Sequence, residues 1–366
     1  MNTVELNRFI VILLYGSLVL LSILKLANPL KVNTKANRWF GLFLFLWSTF
    51  WLDEVCSLIK GSEVEFHSIL IVQFIQFLTP IMFYFSVLFF SNPSFKFKIS
   101  DIKYAILPII FLANLLLQRF GNFEDQRLFG YVFIGLILFQ ALFYTGLSYV
   151  TIRKHQKRIQ QFSSNTEGIN LNWLEYIILI IFIINIIYVI YNLSYNSNSL
   201  NAFINIAFLM VVYFVAYYSL KQKEIYPVEE KQRDELISIN TEDDNEEIKR
   251  KLISDEELLR IKTELEKIME KEKLYLDSEL NLIKLSEELS VSTHHLSYVI
   301  NTGFQKNFFQ FVNEYRVDYA KKLLKNNSAN KLSILGIAYE SGFNSKTSFN
   351  TTFKKFTNQT PSEFKK

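Results

Sequence analysis

Asp53 and Glu54 stand inside a long apolar run, where a carboxylate is costly unless it faces polar partners or water. Thr49, Asp53, Cys56 and Lys60 recur at steps of four, three and four, which is one face of a helix. Other apolar runs carry amides: Gln73 and Gln76, Asn185 and Asn192, Asn201 and Asn205. Such groups either hydrogen-bond one another and fix helix packing, or line an externally open site for a small polar ligand. A second set, His294, Ser297, Tyr298 and Asn301, projects from a short segment whose other side carries Leu296, Val299 and Ile300. All of this is hydrogen-bonding chemistry. Covalent and phosphoryl chemistry lack their usual signatures: there is no glycine-rich phosphate loop, no His-Glu-x-x-His and no Gly-x-Ser-x-Gly. Cys56 is the only cysteine and there are four histidines, which excludes an intrachain disulfide and argues against a zinc site. No cofactor and no enzymatic activity are expected.

The elements that must position these residues differ sharply in composition. Seven apolar stretches approach the roughly 20 residues needed to cross a bilayer: Phe9–Leu26, Trp39–Ile59, Ser68–Phe90, Ile102–Leu117, Phe129–Val150, Trp173–Leu193 and Leu200–Leu220. The fourth is the shortest and carries Pro108, so a six-span count with that segment re-entrant is the rival reading. Soluble core helices keep a polar face, and these runs are apolar all round. The connections alternate in charge. Lys31, Lys35 and Arg38, then Lys96 and Lys98, then Arg153, Lys154, Lys157 and Arg158 fall in alternate loops, which places those loops in the cytoplasm. The expectation is a multi-pass protein of the inner (cytoplasmic) membrane, N-terminus outside and C-terminus cytoplasmic.

The chain divides into blocks of net charge +6 (1–227), −8 (228–280) and +6 (281–366). Residues 1–220 read as a seven-helix transmembrane domain and 221–273 as a charged linker, solvated and poorly ordered as far as Leu252, with a helix at 254–273. Leu258, Ile261, Leu265 and Ile268 give that helix one apolar stripe. The stripe either packs on the next domain or makes a short homodimer contact. Residues 274–366 read as two helix-turn-helix units joined by a long helix. Ile283, Leu285 and Leu289 face inward in the first; in the second, Ile334, Ile337 and Ala338 face inward, Ser341-Gly342-Phe343 turn, and Phe349 and Phe353 anchor the helix from Ser345 to Phe356.

Four spaced segments carry a resemblance. They are Arg316-Val-Asp-Tyr-Ala-Lys-Lys-Leu-Leu324, Ile334-Leu-Gly-Ile-Ala-Tyr-Glu-Ser-Gly-Phe343, Ser348-Phe-Asn-Thr-Thr-Phe-Lys-Lys-Phe356 and Thr360-Pro361-Ser-Glu-Phe364. In this order they resemble the C-terminal domain of AraC/XylS-type transcription regulators, over about residues 275–366 and not over the membrane block. The resemblance implies that two recognition helices enter successive major-groove segments of double-stranded DNA. By matching positions the first would present His294, Ser297 and Tyr298 to bases, beside the outward Asn301, and the second Lys346, Thr347, Asn350 and Thr351. Tyr298 and Thr351 stand where Arg is frequent in the family, so the strong bidentate contacts to guanine are missing there. Ser345, Lys354 and Lys355 suit phosphates.

The fold class expected is therefore all-α: a polytopic transmembrane bundle followed by a cytoplasmic double helix-turn-helix domain. Three functions compete. The first is a one-component sensor with a ligand-sensing set of Asp53, Glu54, Gln73, Gln76, Asn185, Asn192 and Asn205; the second is a transporter with a DNA-binding tail; the third is a regulator whose bundle only anchors it in the lipid bilayer. Transport calls for ionisable residues near the bilayer midplane, and only Asp53 and Glu54 lie deep in a span. Seven spans exceed what an anchor requires.

Overall fold

The computed structural model describes residues 3–62, 64–121, 127–194, 199–226, 229–243, 252–325 and 332–365. The described residues are helical and form no strand beyond an isolated antiparallel bridge between Ser163 and Asn281. The chain folds as two compact units, Met1–Arg153 with Leu171–Ile225, and Lys154–Asn170 with Tyr226–Lys366. The segment Lys154–Asn170, a connection within the membrane block by sequence, thus belongs to the second unit.

The first unit contains α1 (Thr3–Ala27), α2 (Thr34–Ser48), α3 (Leu52–Lys60), α4 (Leu70–Phe77), α5 (Thr79–Ser91), α6 (Ile106–Phe120), most of α7 (Arg127–Ile159), α8 (Asn172–Ser194) and α9 (Ser199–Lys221). Each apolar stretch of the sequence lies on one or two of these. Two spans are broken, and the residues say why. Pro80 cannot donate a backbone bond to the preceding turn, and the helix restarts at Thr79 after Leu78. Thr49–Trp51 is a 3-10 turn between α2 and α3. Pro108 sits in the first turn of α6, where no donor is needed, so it starts that helix without kinking it.

Helix α1 packs on α2 and α9, and α2 on α5. The contact between α1 and α2 is close: a Cβ added at Gly41 would lie 2.8 Å from Leu26 Cγ, and Ser22 Oγ donates to the Gly41 carbonyl at 2.8 Å. Small residues at a helix contact let the two backbones approach closely in this way. Aromatic contacts fill the interior. Trp39 meets Phe85, Phe89 and Phe97, and Phe77 stacks on Phe111. The ends of α1 and α9 and the start of α2 are tied by polar bonds. Lys25 Nζ donates to Ser219 O at 2.6 Å, and Asn33 Nδ2 donates to Lys223 O at 2.9 Å.

The second unit contains α10 (Glu230–Asp243), α11 (Asp255–Lys271), α12 (Leu282–Glu288), α13 (Thr293–Tyr298), α14 (Phe308–Lys325), α15 (Ile334–Glu340), α16 (Lys346–Thr357) and α17 (Pro361–Phe364). Helix α10 corrects the reading of 221–252 as a poorly ordered linker. Leu236 and Ile239, three residues apart in a charged stretch, are both buried and hold it down. Residues 244–251 lie outside the described ones. In α11, Ile261, Leu265 and Met269 are fully buried, and Ile261 clusters with Ile253 and Val299, with Tyr298 and Phe304 against them. Of the two readings for this stripe, packing on the next domain describes the structure.

Candidate nucleic-acid interface

Five helices of the DNA-binding block begin at a side chain that accepts from a backbone N–H, as the sequence asks. Asn281 accepts from Lys284, Ser292 from His295, Ser333 from Gly336, Ser345 from Ser348 and Thr360 from Glu363. Each cap contributes about 1 kcal/mol. The caps fix where α13 and α16, the two second helices of the helix-turn-helix units, start.

Helix α13 is anchored by Leu296, Val299 and Ile300, all buried, and runs on into a π-helical turn at Val299–Gly303. Its polar side differs from expectation at one position. Ser297 is buried rather than outward, and its Oγ receives Asn301 Nδ2 at 3.4 Å. Helix α10 packs on α13: its Glu235 accepts from the Thr293 hydroxyl and its Ser238 is 3.1 Å from His294 Nε2. Tyr298 is half-buried against the Ile253–Val299 cluster. Of the residues proposed for the first reading head, His294 and Asn301 keep partial exposure.

Helix α16 presents its face to solvent. Phe349 and Phe353 are fully buried against Val317, Ala320, Ile337 and Phe343, which turns Lys346, Thr347, Thr351, Lys354 and Lys355 outward, with Asn350 and Ser345 partly exposed. Lys355 Nζ lies 5.6 Å from the Phe309 ring centre. The turn before α16 depends on Gly342, whose φ is +81° and whose added Cβ would lie 2.5 Å from Tyr275 O. Only glycine supplies that backbone and that space.

What holds α14 between the two units is a buried cation. Arg316 is 1% exposed; its Nε donates to Tyr275 O at 2.7 Å, and its Nη2 to Asp277 O at 2.7 Å and Ser164 Oγ at 3.0 Å. Nη1 reaches Asn313 Oδ1 at 3.3 Å and Ser164 O at 3.4 Å, and the guanidinium lies 5.8 Å from the Phe343 ring centre. Burial pulls the Arg316 pKa down to about 10, which leaves it charged at neutral pH. At Asp277 burial acts to raise the carboxyl, but the Glu279 amide, the Lys284 ammonium and Arg316 outweigh it and hold it below its ordinary range. Sequence reasoning placed Arg316 in a motif and missed this role. The signal was there: Phe308, Val312, Arg316 and Ala320 recur every four residues, so Arg316 falls on the buried face.

In the first unit the polar residues are placed differently from one shared face. Thr49 lies in the 3-10 turn, so only Asp53, Cys56 and Lys60 share a face of α3. Asp53 and Glu54 occupy the first turn of α3, where the helix dipole favours anions. Asn205 is buried; it accepts from Trp51 Nε1 at 3.0 Å and donates to Asn7 Oδ1 at 2.9 Å. Gln76 donates to Thr49 O at 3.1 Å, while Gln73 is half-buried. The side chains of Asn185, Asn192 and Asn201 lie outside those described. Asn7 and Trp51 were missed because neither is unusual alone; only the fold brings them to Asn205.

Two capped helix-turn-helix units on one long helix, with an outward polar face on α16, define a DNA-binding domain. A family of the description Helix-turn-helix domain matches residues 285–366. This is an AraC-type helix-turn-helix domain at the C-terminus. The chain is similar to an uncharacterized HTH-type transcriptional regulator of Staphylococcus aureus (strain COL), 37% identical over 82 residues, 22% of this chain and 11% of that protein. It is also similar to an uncharacterized HTH-type transcriptional regulator in the cgkA 5′ region of Pseudoalteromonas carrageenovora, 37% identical over 78 residues, 21% of this chain and 44% of that protein. The chain thus spans a small part of the first relative and under half of the second. No solved structure matches it.

Proposed function

We propose that this chain is a membrane-embedded, sequence-specific transcription regulator in which the bundle senses a signal and biases DNA binding in the cytoplasm. The observation that carries this reading is the outward polar face of α16, on a helix-turn-helix domain in one chain with many apolar helices. Among the described residues, six helical segments are long and apolar enough to cross a membrane: Val4–Ala27, Thr34–Lys60, Leu70–Ser91, Ile99–Phe120, Arg127–Ile159 and Phe203–Lys221, with a shorter apolar one at Asn172–Ile184. Apolar side chains along α7, among them Leu128, Ile134, Leu138 and Leu142, are exposed, as lipid contact demands. The packing of Lys154–Asn170 within the unit of the DNA-binding domain supports a cytoplasmic side for that loop, in agreement with its three cations, Lys154, Lys157 and Arg158.

The test is duplex DNA binding by the full-length protein in lipid nanodiscs, followed by selection of bound fragments from genomic DNA. Saturable, salt-dependent binding and recovery of fragments sharing a sequence are expected. Absence of duplex binding at low salt, or recovery of the chain in the soluble fraction, would overturn the reading. Within it, Asp53 is the proposed sensing residue, in the outer half of its span. Asp53→Asn abolishes the transcriptional response while abundance and DNA binding stay unchanged; a normal response, or failure to accumulate, assigns Asp53 to packing.

A further inference from the structure

The connection Gln160–Glu167, between α7 and α8, is built into the DNA-binding domain. Phe309 N donates to Gln160 O at 2.9 Å and Leu282 N to Phe162 O at 2.9 Å, next to the bridge between Ser163 and Asn281. Ser164 is 2% exposed and satisfies four groups: its hydroxyl donates to Leu280 O at 2.6 Å and accepts from Arg316 Nη2, and its carbonyl accepts from Asn313 Nδ2 at 2.9 Å and from Arg316 Nη1. Phe162 is buried as well, with its ring 5.5 Å from Tyr226. Buried polar groups must be paired, and without this segment the Asn313 amide and Arg316 would each lose a partner. Beyond the buried anchor the segment ends in an exposed contact, the Glu167 carboxylate accepting from the hydroxyl of Ser345, the cap of α16.

The two halves of this contact differ in strength. The anchor is desolvated and is the stronger half; the Glu167 contact is exposed, and such contacts are worth about 1 kcal/mol or less. Ser345 is also the residue at which α16 would take a DNA phosphate. Carboxylate and phosphate compete for one hydroxyl and repel each other.

We propose that Gln160–Glu167 is a docking element for the groove formed by Leu280–Leu282 and α14, and that when docked it lowers DNA affinity by placing Glu167 over Ser345. The proposal rests on the DNA-binding reading above. Since α7 ends at Ile159 and α8 begins at Asn172, the docked segment is leashed at both ends to candidate spans, and a relative shift of those ends acts directly on the second recognition helix. The input runs through this loop as well as through 221–252.

The experiment uses the full chain in nanodiscs, with Cys56→Ser, Ser163→Cys and Asn281→Cys, and a mixed-sequence duplex as probe. Opposite residues of a bridge lie within disulfide reach. The crosslink should form, and the oxidised protein should bind on the order of tenfold more weakly than the reduced one, a change of about 1.4 kcal/mol. Glu167→Gln, which leaves the buried anchor intact, should raise affinity on the order of threefold in the uncrosslinked chain and restore binding in the oxidised one. Equal binding by oxidised and reduced protein, failure of the crosslink to form, or no gain from Glu167→Gln overturns the proposal while the DNA-binding reading stands. Loss of all duplex binding in the uncrosslinked wild type overturns both.

Discussion

Arg316 shows how one side chain ties local sequence to the spacing of two reading heads. Its five hydrogen bonds reach α14 itself, the turn at Tyr275–Asp277 and Ser164, so its removal breaks bonds to three segments at once. Breaking such a buried charged network costs about 3–5 kcal/mol. Arg316→Met should therefore lower the denaturant midpoint of the C-terminal unit strongly, measured by pulse proteolysis of the full chain, and a change under about 1 kcal/mol would show that other contacts set the spacing. The exposed residues of α16 separate into two kinds by what they offer DNA. Lys354→Ala with Lys355→Ala should reduce the slope of log affinity against log salt by about 0.9 for each lysine that meets a phosphate, on every sequence alike. Lys346→Ala or Asn350→Ala should instead relax preference at particular base pairs by about 1–3 kcal/mol, read from competition among operator variants. Identical effects of the two pairs would dissolve that distinction.

The helices themselves follow from patterns visible in the chain, and the exceptions have physical causes. Long apolar runs mark where α1 to α9 lie, although α1 begins six residues before Phe9 and α7 runs nine beyond Val150, and Ser/Thr/Asn caps mark the starts of α12, α13 and α15 to α17, because cap signals act within one turn. Helix α10 was hidden because its composition is that of a solvated tether; two apolar residues, Leu236 and Ile239, suffice only because the domain offers them a surface. The same helix packs on α13 at Thr293 and His294, so the outward face of α13 could not be read from its own periodicity. The breaks within the second and third spans were equally local in cause but weak in signal. Gly342 marks the opposite case, a position whose role is plain in Ser-Gly-Phe and whose environment is not. Gly342→Ala forces a Cβ toward Tyr275 O in a left-handed backbone, at a cost of order 1–3 kcal/mol. The expected result is a lowered unfolding midpoint with no change in salt slope among molecules that remain folded. An unchanged midpoint would mean that the 275–276 segment gives way freely.

The proposed arrangement of the entire chain makes a topological demand. Reporter fusions after Tyr195 should be active only as an external reporter, and fusions after Lys223 only as a cytoplasmic one. A cytoplasmic signal at Tyr195 would separate the loop Lys154–Asn170 from its side and remove the basis for both proposals. The contacts of that loop also set a timetable. Ser164 precedes its partner Leu280 by 116 residues, and Glu167 precedes Ser345 by 178. At synthesis rates of roughly 5–20 residues per second, the loop waits about 6 to 36 seconds for the groove that receives it. Helices α8 and α9 leave the ribosome during that interval. The helix-turn-helix domain, translated after these helices, therefore closes around a piece made long before it, on a chain whose apolar helices α1 to α9 are already complete, so that the proposed ability to read DNA matures only after the part that would inhabit the bilayer has been delivered.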